Sequence, residues 1–134
     1  MTYLLDTDIC IYILKNRFVG LVKKLRRVGI ENVGISAITV AELEYGVLNS
    51  DRSGESRTKL YEFMIPFAFI DFDLNAARHY GKIRKELQDL GQPIGPMDTM
   101  IAAIAMTNGT TLVTNNVKEF GKVPGLKTEN WIAA

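Results

Sequence analysis

Three carboxylates occupy comparable places in the chain, each beside a predicted strand or at the start of a predicted helix. Asp6 directly follows Tyr3–Leu5, an apolar run too short for a helical period and typical of a buried strand. Glu42 lies in the first turn of the helix after a second apolar run, and Asp98 opens the helix before a fourth strand. Because ligands bind at the carboxyl ends of parallel strands, we expect Asp6 to be a functional carboxylate.

Carboxylates that converge without a basic partner resist ionisation, because each negative charge raises the pKa of its neighbours. A hard divalent cation removes this penalty. Mg²⁺ or Mn²⁺ prefers oxygen ligands and commonly takes one or two carboxylates, water and substrate phosphate. Such a site lowers the pKa of bound water and stabilises charge on a phosphoryl oxygen. The three acids together therefore predict metal-dependent phosphodiester hydrolysis.

A fourth candidate position follows the fourth predicted strand, at Asn116 and Glu119. Taken singly, each of these polar residues also has a purely structural explanation. Asp6 could cap the turn after its strand, and Glu42 could complete a capping box begun by Thr39. Glu119 could be an exposed loop acid, and Asn116 is common in turns. Only the combination favours a catalytic site.

The elements that must position these acids follow from the apolar pattern. Predicted strands cover residues 3–5, 33–35, 67–72 and 111–114, with a short last strand within 127–131. Predicted helices cover residues 9–14, 19–28, 39–49, 58–64, 74–90 and 98–107, Asp8 being the expected N-cap of the first and 50–57 a loop. This order predicts one α/β domain over residues 1–134, with helices on both faces of a mostly parallel sheet of four or five strands.

The composition narrows the class of protein. Hydrophobic residues make up 47% of 134 residues, enough for a core without disulfides. The single cysteine, Cys10, cannot form an internal bridge, so we expect a reducing compartment. No stretch approaches a membrane-spanning run, so we expect a cytoplasmic location and no membrane partner. A net charge of +1 makes no global case for nucleic acid.

Positive charge nevertheless gathers on two predicted helices. The clusters are Lys23, Lys24, Arg26, Arg27 and Arg78, Lys82, Arg84, Lys85. Such a cluster suits a phosphate backbone, although it is also typical of a solvated helix face. Other catalytic chemistry finds little support. His79, the only histidine, lies in the middle of a helix, Cys10 has no evident base, and no zinc pattern or glycine-rich phosphate loop is present.

Four segments in this order resemble a known family. They are Leu4-Leu-Asp6-Thr-Asp8, Ser36-x-x-Thr39-x-x-Glu42-Leu, Gly95-Pro96-x-Asp98-x-x-Ile101-Ala102 and Val113-Thr114-Asn115-Asn116-x-x-Glu119-Phe120. The set resembles the PIN-domain ribonucleases, specifically the VapC toxins of bacterial toxin–antitoxin pairs, from residue 3 to about residue 131. The resemblance implies a PIN-like three-layer α/β/α fold and a Mg²⁺- or Mn²⁺-dependent endoribonuclease.

The resemblance also implies roles for the acids. Asp6, Glu42 and Asp98 match the three central acids of the family, with Asp6 and Asp98 as metal ligands. Many relatives have Asp where this chain has Asn116, and Glu119 is the nearest acid that could serve as the fourth catalytic carboxylate.

Asp8, Thr114 and Asn116 match positions that support the site by hydrogen bonding. Proteins of this type pair with a VapB antitoxin, form homodimers and larger complexes, and reach DNA only through the antitoxin. They cleave RNA and so inhibit translation. The Gly-Pro-x-Asp and Thr-Asn-Asn forms are most similar to the branch that cuts initiator tRNA.

Two other functions remain open at this point. The strand followed by Asp6-Thr-Asp8 is similar to phosphatases of the haloacid dehalogenase type, in which the first Asp is a covalent nucleophile. The matching lysine and the paired downstream acids of that group are not evident. A non-catalytic module of the same fold could instead bind RNA or protein through its basic helices, but unpaired acids beside a phosphate backbone hinder such binding unless a metal is present.

Overall fold

Five parallel strands form the centre of the protein in a computed structural model that describes residues 1–132. They are β1 (Tyr3–Leu5), β2 (Val33–Ser36), β3 (Ala68–Ile70), β4 (Thr111–Val113) and β5 (Thr128–Glu129). Their order across the sheet is β3-β2-β1-β4-β5, and every neighbouring pair is parallel. The predicted parallel sheet is confirmed, with five strands.

Helices cover both faces of the sheet. They are α1 (Thr7–Leu14), α2 (Val19–Val28), α3 (Ala37–Leu48), α4 (Ser53–Met64), α5 (Leu74–Asp89), α6 (Pro96–Asn108) and α7 (Val117–Phe120). Successive residues of a strand point to opposite faces, so Leu5 joins the core under α1–α4 and Leu4 the core under α5 and α6. The predicted three-layer α/β/α architecture is confirmed. None of the helices within residues 1–132 is long and apolar enough to cross a membrane.

The central strands end at one level, which places the residues that follow them side by side. Leu5 is the register partner of both Ile35 and Val113. The chain proceeds from β1 to β2 and β3 on one side and returns to β4 and β5 on the other, so the connections reverse direction between β1 and β4. Ligand sites in open α/β sheets lie at this reversal. Asp6 and Thr114, the residues after β1 and β4, stand on its two sides.

The first helix begins differently from the prediction. Asp6, and not Asp8, is the N-cap of α1, and its carboxylate oxygen Oδ1 accepts a hydrogen bond from the backbone N–H of Thr7 at 2.8 Å. The predicted cap at Asp8 is therefore wrong. Asp8 lies inside the first turn, where its side chain is available for a longer-range contact.

The capping box predicted for α3 is also wrong. The N-cap is Ser36, whose hydroxyl accepts a hydrogen bond from the backbone N–H of Thr39 at 3.1 Å, so Thr39 is the third residue of the helix. Ser36 and Thr39 are both hydroxyl residues that can cap a helix, and only the position at which β2 ends decides between them. As a consequence, Glu42 does not cap the helix and its carboxylate is turned to another partner.

Three further boundaries differ from the prediction. The prediction of a loop over residues 50–57 is wrong, because α4 already begins at Ser53. Just before it, the Ser50 hydroxyl oxygen accepts a hydrogen bond from the backbone N–H of Arg52 at 3.2 Å. This first turn is exposed and lacks the apolar period that reveals a helix. β3 is shorter than predicted, and the single turn of α7 is too short to show a period.

Candidate active site

Asp6 lies at the centre of the carboxyl edge of the sheet and is almost completely buried, with 5% of its surface exposed. Its Oδ1 caps α1, and its Oδ2 accepts a hydrogen bond from the Thr114 hydroxyl at 2.8 Å. The Thr114 oxygen in turn accepts from the backbone N–H of Asn116 at 2.9 Å. The Thr114 oxygen therefore accepts one hydrogen bond, from Asn116, while its O–H donates another to Asp6. Together these two contacts fix the orientation of the Thr114 hydroxyl.

The environment of Asp6 disfavours its charge. Burial, followed by the negative charge of Asp8, raises the pKa of Asp6 from 3.8 to about 7, and Asp98 adds to the effect. The hydrogen bonds from Thr114 and Thr7 act in the opposite direction but do not cancel it. A carboxylate in this position is best stabilised by a cation.

Asp8 provides a second buried oxygen at the same place. Its Oδ2 accepts a hydrogen bond from the backbone N–H of Asn115 at 3.1 Å. Its Oδ1 is buried and has no hydrogen-bond partner among residues 1–132. Burial is also the main cause that raises the pKa of Asp8. An unpartnered carboxylate oxygen next to Asp6 can be satisfied by water or by a cation with its hydration shell.

Glu42 is held at the site by hydroxyl groups. Its Oε1 accepts a hydrogen bond from the Thr7 hydroxyl at 2.6 Å, and Thr7 Oγ1 lies 3.0 Å from Thr39 Oγ1. Ser36 extends this row at 3.3 Å from Thr39. The sequence pattern predicted no role for Thr7 and only a capping role for Thr39. The available signal was a hydroxyl residue between two acids directly after a strand.

Asp98 is brought to the same edge by the direction of α6. A helix that leads into a parallel strand runs back across the sheet, so α6 begins at the carboxyl edge. Burial raises the pKa of Asp98, and the charges of Glu42, Glu119 and Asp8 raise it further. The structure therefore gathers the predicted acids within electrostatic reach of one another.

The two residues predicted for the fourth position, Asn116 and Glu119, contact the site in different ways. Glu119 is half-buried in α7, and its Oε1 lies 3.2 Å from the ammonium group of Lys122. Asn116 exposes its side chain and contacts the site through its backbone N–H to Thr114. Glu119 thus faces the acidic cluster with a cation of its own, while Asn116 supports Thr114.

The donor set fits a hard, hydrated cation. We call Asp6, Asp8, Glu42, Asp98 and Glu119 the acidic cluster. All its donors are oxygens, the preference of Mg²⁺ and Mn²⁺. Within the described part of the chain, no three His, Cys, Asp or Glu side chains are close enough to hold a metal ion by themselves. Mg²⁺ retains several waters in most protein sites, so direct contact with one or two carboxylates suffices.

Other chemistry at this edge is disfavoured by the same contacts. His79 is engaged by the Thr107 hydroxyl at 2.9 Å on the α5–α6 side of the sheet. Cys10 is fully buried, and burial raises the pKa of its thiol. The Ser36 hydroxyl, at the end of β2, is occupied as the cap of α3.

Comparison with known proteins agrees with this geometry. A family model described as the PIN domain matches residues 3–126. The chain belongs to the PIN-domain family. The predicted family is thereby confirmed.

Relatives within the family are named VapC. The chain is 39% identical to "Ribonuclease VapC2" of Rickettsia felis and 38% identical to "tRNA(fMet)-specific endonuclease VapC" of Shigella flexneri, with 98% of both chains covered in each case. Its fold matches VapBC2 of Rickettsia felis bound to a promoter DNA fragment, with a TM-score of 0.93, 39% identity and coverage of 98% and 99%. DNA-bound VapBC from Salmonella typhimurium also gives 0.93, at 36% identity and 98% coverage of both chains. Within the family, the chain belongs with the VapC proteins.

The hydrogen bond between Thr114 and Asp6 gives a direct test of the supporting residues. We expect Thr114→Val to weaken Mg²⁺ binding by about 10- to 100-fold, the usual cost of losing a residue that orients a metal ligand. The loss arises because Oδ2 of Asp6 no longer has a donor and the pKa of Asp6 rises further. Isothermal calorimetry of Mg²⁺ measures it. The matched control is Thr110→Val, a buried threonine whose hydroxyl makes only a 3.4 Å contact to Ala105; equal losses in both variants would contradict the assignment.

Proposed function

We propose that this chain is the toxin of a VapBC-type pair, a single PIN domain over residues 1–134 that cleaves RNA with Mg²⁺ or Mn²⁺ at the acidic cluster. The observation that carries the proposal is the burial of Asp6 next to Asp8, with no cation paired to it among residues 1–132, which raises the pKa of Asp6 to about 7. A protein keeps such an unfavourable group where a metal or a proton is handled. The proposed compartment is the cytoplasm.

The proposed roles follow from the contacts of each side chain. Asp6 and Asp98 hold the ion, and Thr114 fixes the orientation of Asp6. Glu42, placed by Thr7, accepts hydrogen bonds from water in the site. When bound, the ion supplies an activated water and neutralises charge on the scissile phosphate.

Glu119 completes the proposed set of catalytic acids. Its carboxylate is paired with the ammonium group of Lys122 at the rim of the site while it is not engaged. We propose that Glu119 positions water or the leaving group there. We propose that the Asn116 side chain is not a metal ligand and that Asn116 supports the site through its backbone N–H, which holds Thr114 in place.

The proposed substrate is initiator tRNA, and the proposed partner is a VapB-type antitoxin. A relative from Shigella flexneri carries the name "tRNA(fMet)-specific endonuclease", and VapBC complexes bound to DNA share the fold. We propose that this chain forms a homodimer within a larger complex of that kind, with DNA contacted by the antitoxin alone.

A cavity of about 650 Å³ supports the proposed partner. It lies between α1, α3 and α4, with an apolar wall that includes Ile11, Leu43 and Leu60. Glu42 lines the same cavity, so a segment that fills it lies against the acidic cluster. We propose that the antitoxin inhibits cleavage by occupying this cavity.

One cleavage assay tests substrate, metal and partner together. Purified protein with Mg²⁺ is expected to cut initiator tRNA at a single place in its anticodon region and to leave elongator methionine tRNA intact. EDTA in place of Mg²⁺ is expected to stop cleavage, as is the co-purified antitoxin. Sequencing of the product ends maps the cut.

The outcomes separate the parts of the proposal. Metal-dependent cleavage of other RNAs but not initiator tRNA would contradict the substrate alone. Cleavage that persists in EDTA would contradict the metal site, and full activity of the co-purified pair would contradict inhibition by the antitoxin.

A further inference from the structure

A second cavity of about 670 Å³ lies beside the acidic cluster and has the opposite charge. We call it the basic cavity. It is walled by residues 17–21, 23, 24 and 27 around the start of α2 and by residues 129–132 at the end of β5. Its cations are Arg17, Lys23, Lys24 and Arg27, and its only acid is Glu129.

The positive charge of the basic cavity is not neutralised within the protein. Glu129 accepts a hydrogen bond from the indole N–H of Trp131 at 3.0 Å. None of the four cations is within ion-pair distance of an acid among residues 1–132. The Lys24 ammonium lies over the Trp131 ring at 5.9 Å, and Trp131 is only 5% exposed, so this wall is rigid. The cations are therefore available to an anionic ligand.

The second basic helix differs in this respect. On α5, Lys85 is paired with Asp89 at 2.9 Å, and Arg78 and Arg84 donate hydrogen bonds to neighbours on the same helix. These contacts are typical of a solvated helix face. The two clusters look alike in sequence, but among the described residues the α2 cluster places three cations, Lys23, Lys24 and Arg27, on one cavity, whereas the α5 cluster places only Arg84 on a smaller cavity of about 350 Å³.

Two hydrogen bonds connect the basic cavity to the acidic cluster. Asn130, which lines the cavity, donates from Nδ2 to Asn115 Oδ1 at 3.1 Å. The backbone N–H of Asn115 donates to Asp8 at 3.1 Å. Asp8 and the basic cavity are thus linked through two residues, Asn115 and Asn130.

We propose that the basic cavity binds the phosphate backbone of the RNA substrate next to the bond that is cut. The proposal rests on the ribonuclease function proposed above. The acidic cluster repels an RNA backbone on its own, and an adjoining group of four cations compensates for this repulsion. Phe18, which also lines the cavity and is 40% exposed, offers an aromatic face on which a base can stack. Cations beside an exposed aromatic ring are typical of single-stranded RNA binding.

The test removes three cations and measures RNA binding in the absence of cleavage. The triple variant is Arg17→Gln, Lys23→Gln and Arg27→Gln, with Lys24 retained because it packs on Trp131. The matched control removes the same charge from α5, as Arg78→Gln, Lys82→Gln and Lys85→Gln. The probe is a fluorescein-labelled 20-nucleotide single-stranded RNA in EDTA.

For the triple variant we expect a dissociation constant at least about tenfold higher than that of the unsubstituted protein. The slope of log K against log salt concentration should fall by about 2, since each lost phosphate contact on single-stranded RNA removes about 0.7. The α5 control should change neither quantity. With Mg²⁺ present, the triple variant should raise KM more than it lowers kcat, because the cavity contacts phosphates beside the scissile bond and not the reacting atoms themselves.

Failure of the basic-cavity proposal can be distinguished from failure of the ribonuclease proposal. Equal weakening by both triple variants would reduce the effect to net charge and overturn the proposal, as would unchanged affinity and slope. If no form of the protein cleaves RNA but the triple variant still loses binding, the cavity stands and the ribonuclease proposal fails. Should the triple variant not fold by circular dichroism, Lys23→Gln alone should lower the slope by about 0.7, and an unchanged slope would overturn the proposal.

Discussion

The Asp6→Asn variant is expected to lose RNA cleavage by about 1,000-fold or more while it remains folded. A metal ligand contributes several kcal/mol of transition-state stabilisation, and about 1.4 kcal/mol corresponds to each factor of ten in rate. Asn retains an oxygen that can accept from the Thr7 N–H and an amide that can bond to Thr114, so the local contacts of Asp6 survive. Initial rates on initiator tRNA with saturating Mg²⁺ measure the loss.

The same substitution is expected to stabilise the metal-free fold above pH 7. The pKa of Asp6 is raised from 3.8 to about 7 in the folded protein, so the folded state holds its proton over a pH range in which the unfolded chain has released it. The free energy of unfolding therefore falls as pH rises through this range, and the full penalty applies above it. Asn carries no charge and avoids the penalty, so its Tm at pH 8 should exceed that of the unsubstituted protein by several degrees.

A surface acid serves as the control for both effects. Asp89 is exposed and paired with Lys85, so Asp89→Asn should change neither the cleavage rate nor the pH dependence of Tm. Undiminished Mg²⁺-dependent cleavage by Asp6→Asn would remove Asp6 from the site. Loss of cleavage together with a lower Tm at pH 8 would assign Asp6 a structural role instead.

Mg²⁺ is expected to stabilise the protein strongly at pH 8 and weakly at pH 5. Burial raises the pKa values of Asp6, Asp8 and Asp98 in the same direction, so without metal the folded protein loses stability as these groups ionise. At pH 5 Asp6 holds its proton and competes with the cation. At pH 8 the carboxylates are charged, and an ion at 100 times its dissociation constant adds about 2.7 kcal/mol to the free energy of unfolding.

Thermal unfolding in EDTA and in MgCl₂ measures this dependence, with NaCl added to equalise ionic strength. The increase in Tm caused by Mg²⁺ should be several degrees at pH 8 and should shrink in Asp98→Asn. An equal increase at both pH values would show that the ion binds away from the acidic cluster. A Tm in EDTA that rises between pH 5 and pH 8 would contradict the raised pKa of Asp6.

The architecture was largely predictable from local patterns. Short apolar runs alternating with helical periods suffice for a parallel sheet with helices on both faces, because periodicity reports which side chains are buried. Exposed turns carry no such signal, so the start of α4 and the whole of α7 were missed. The choice of Thr39 over Ser36 as the cap of α3 failed because both are good caps and only the end of β2 distinguishes them.

The position of Asp6 after a buried strand was determined by sequence alone, because a strand followed by an acid is a local pattern. The state of Asp6 was not, because its solvation depends on the elements that cover it and on a hydrogen bond from Thr114, 108 residues away. The partner of Glu42 also depends on the tertiary structure, because Glu42 does not cap α3 and accepts a hydrogen bond from the Thr7 hydroxyl instead. Identity and order along the chain predicted which acids matter; only the packed sheet edge decided their charges, their partners and the basic cavity beside them.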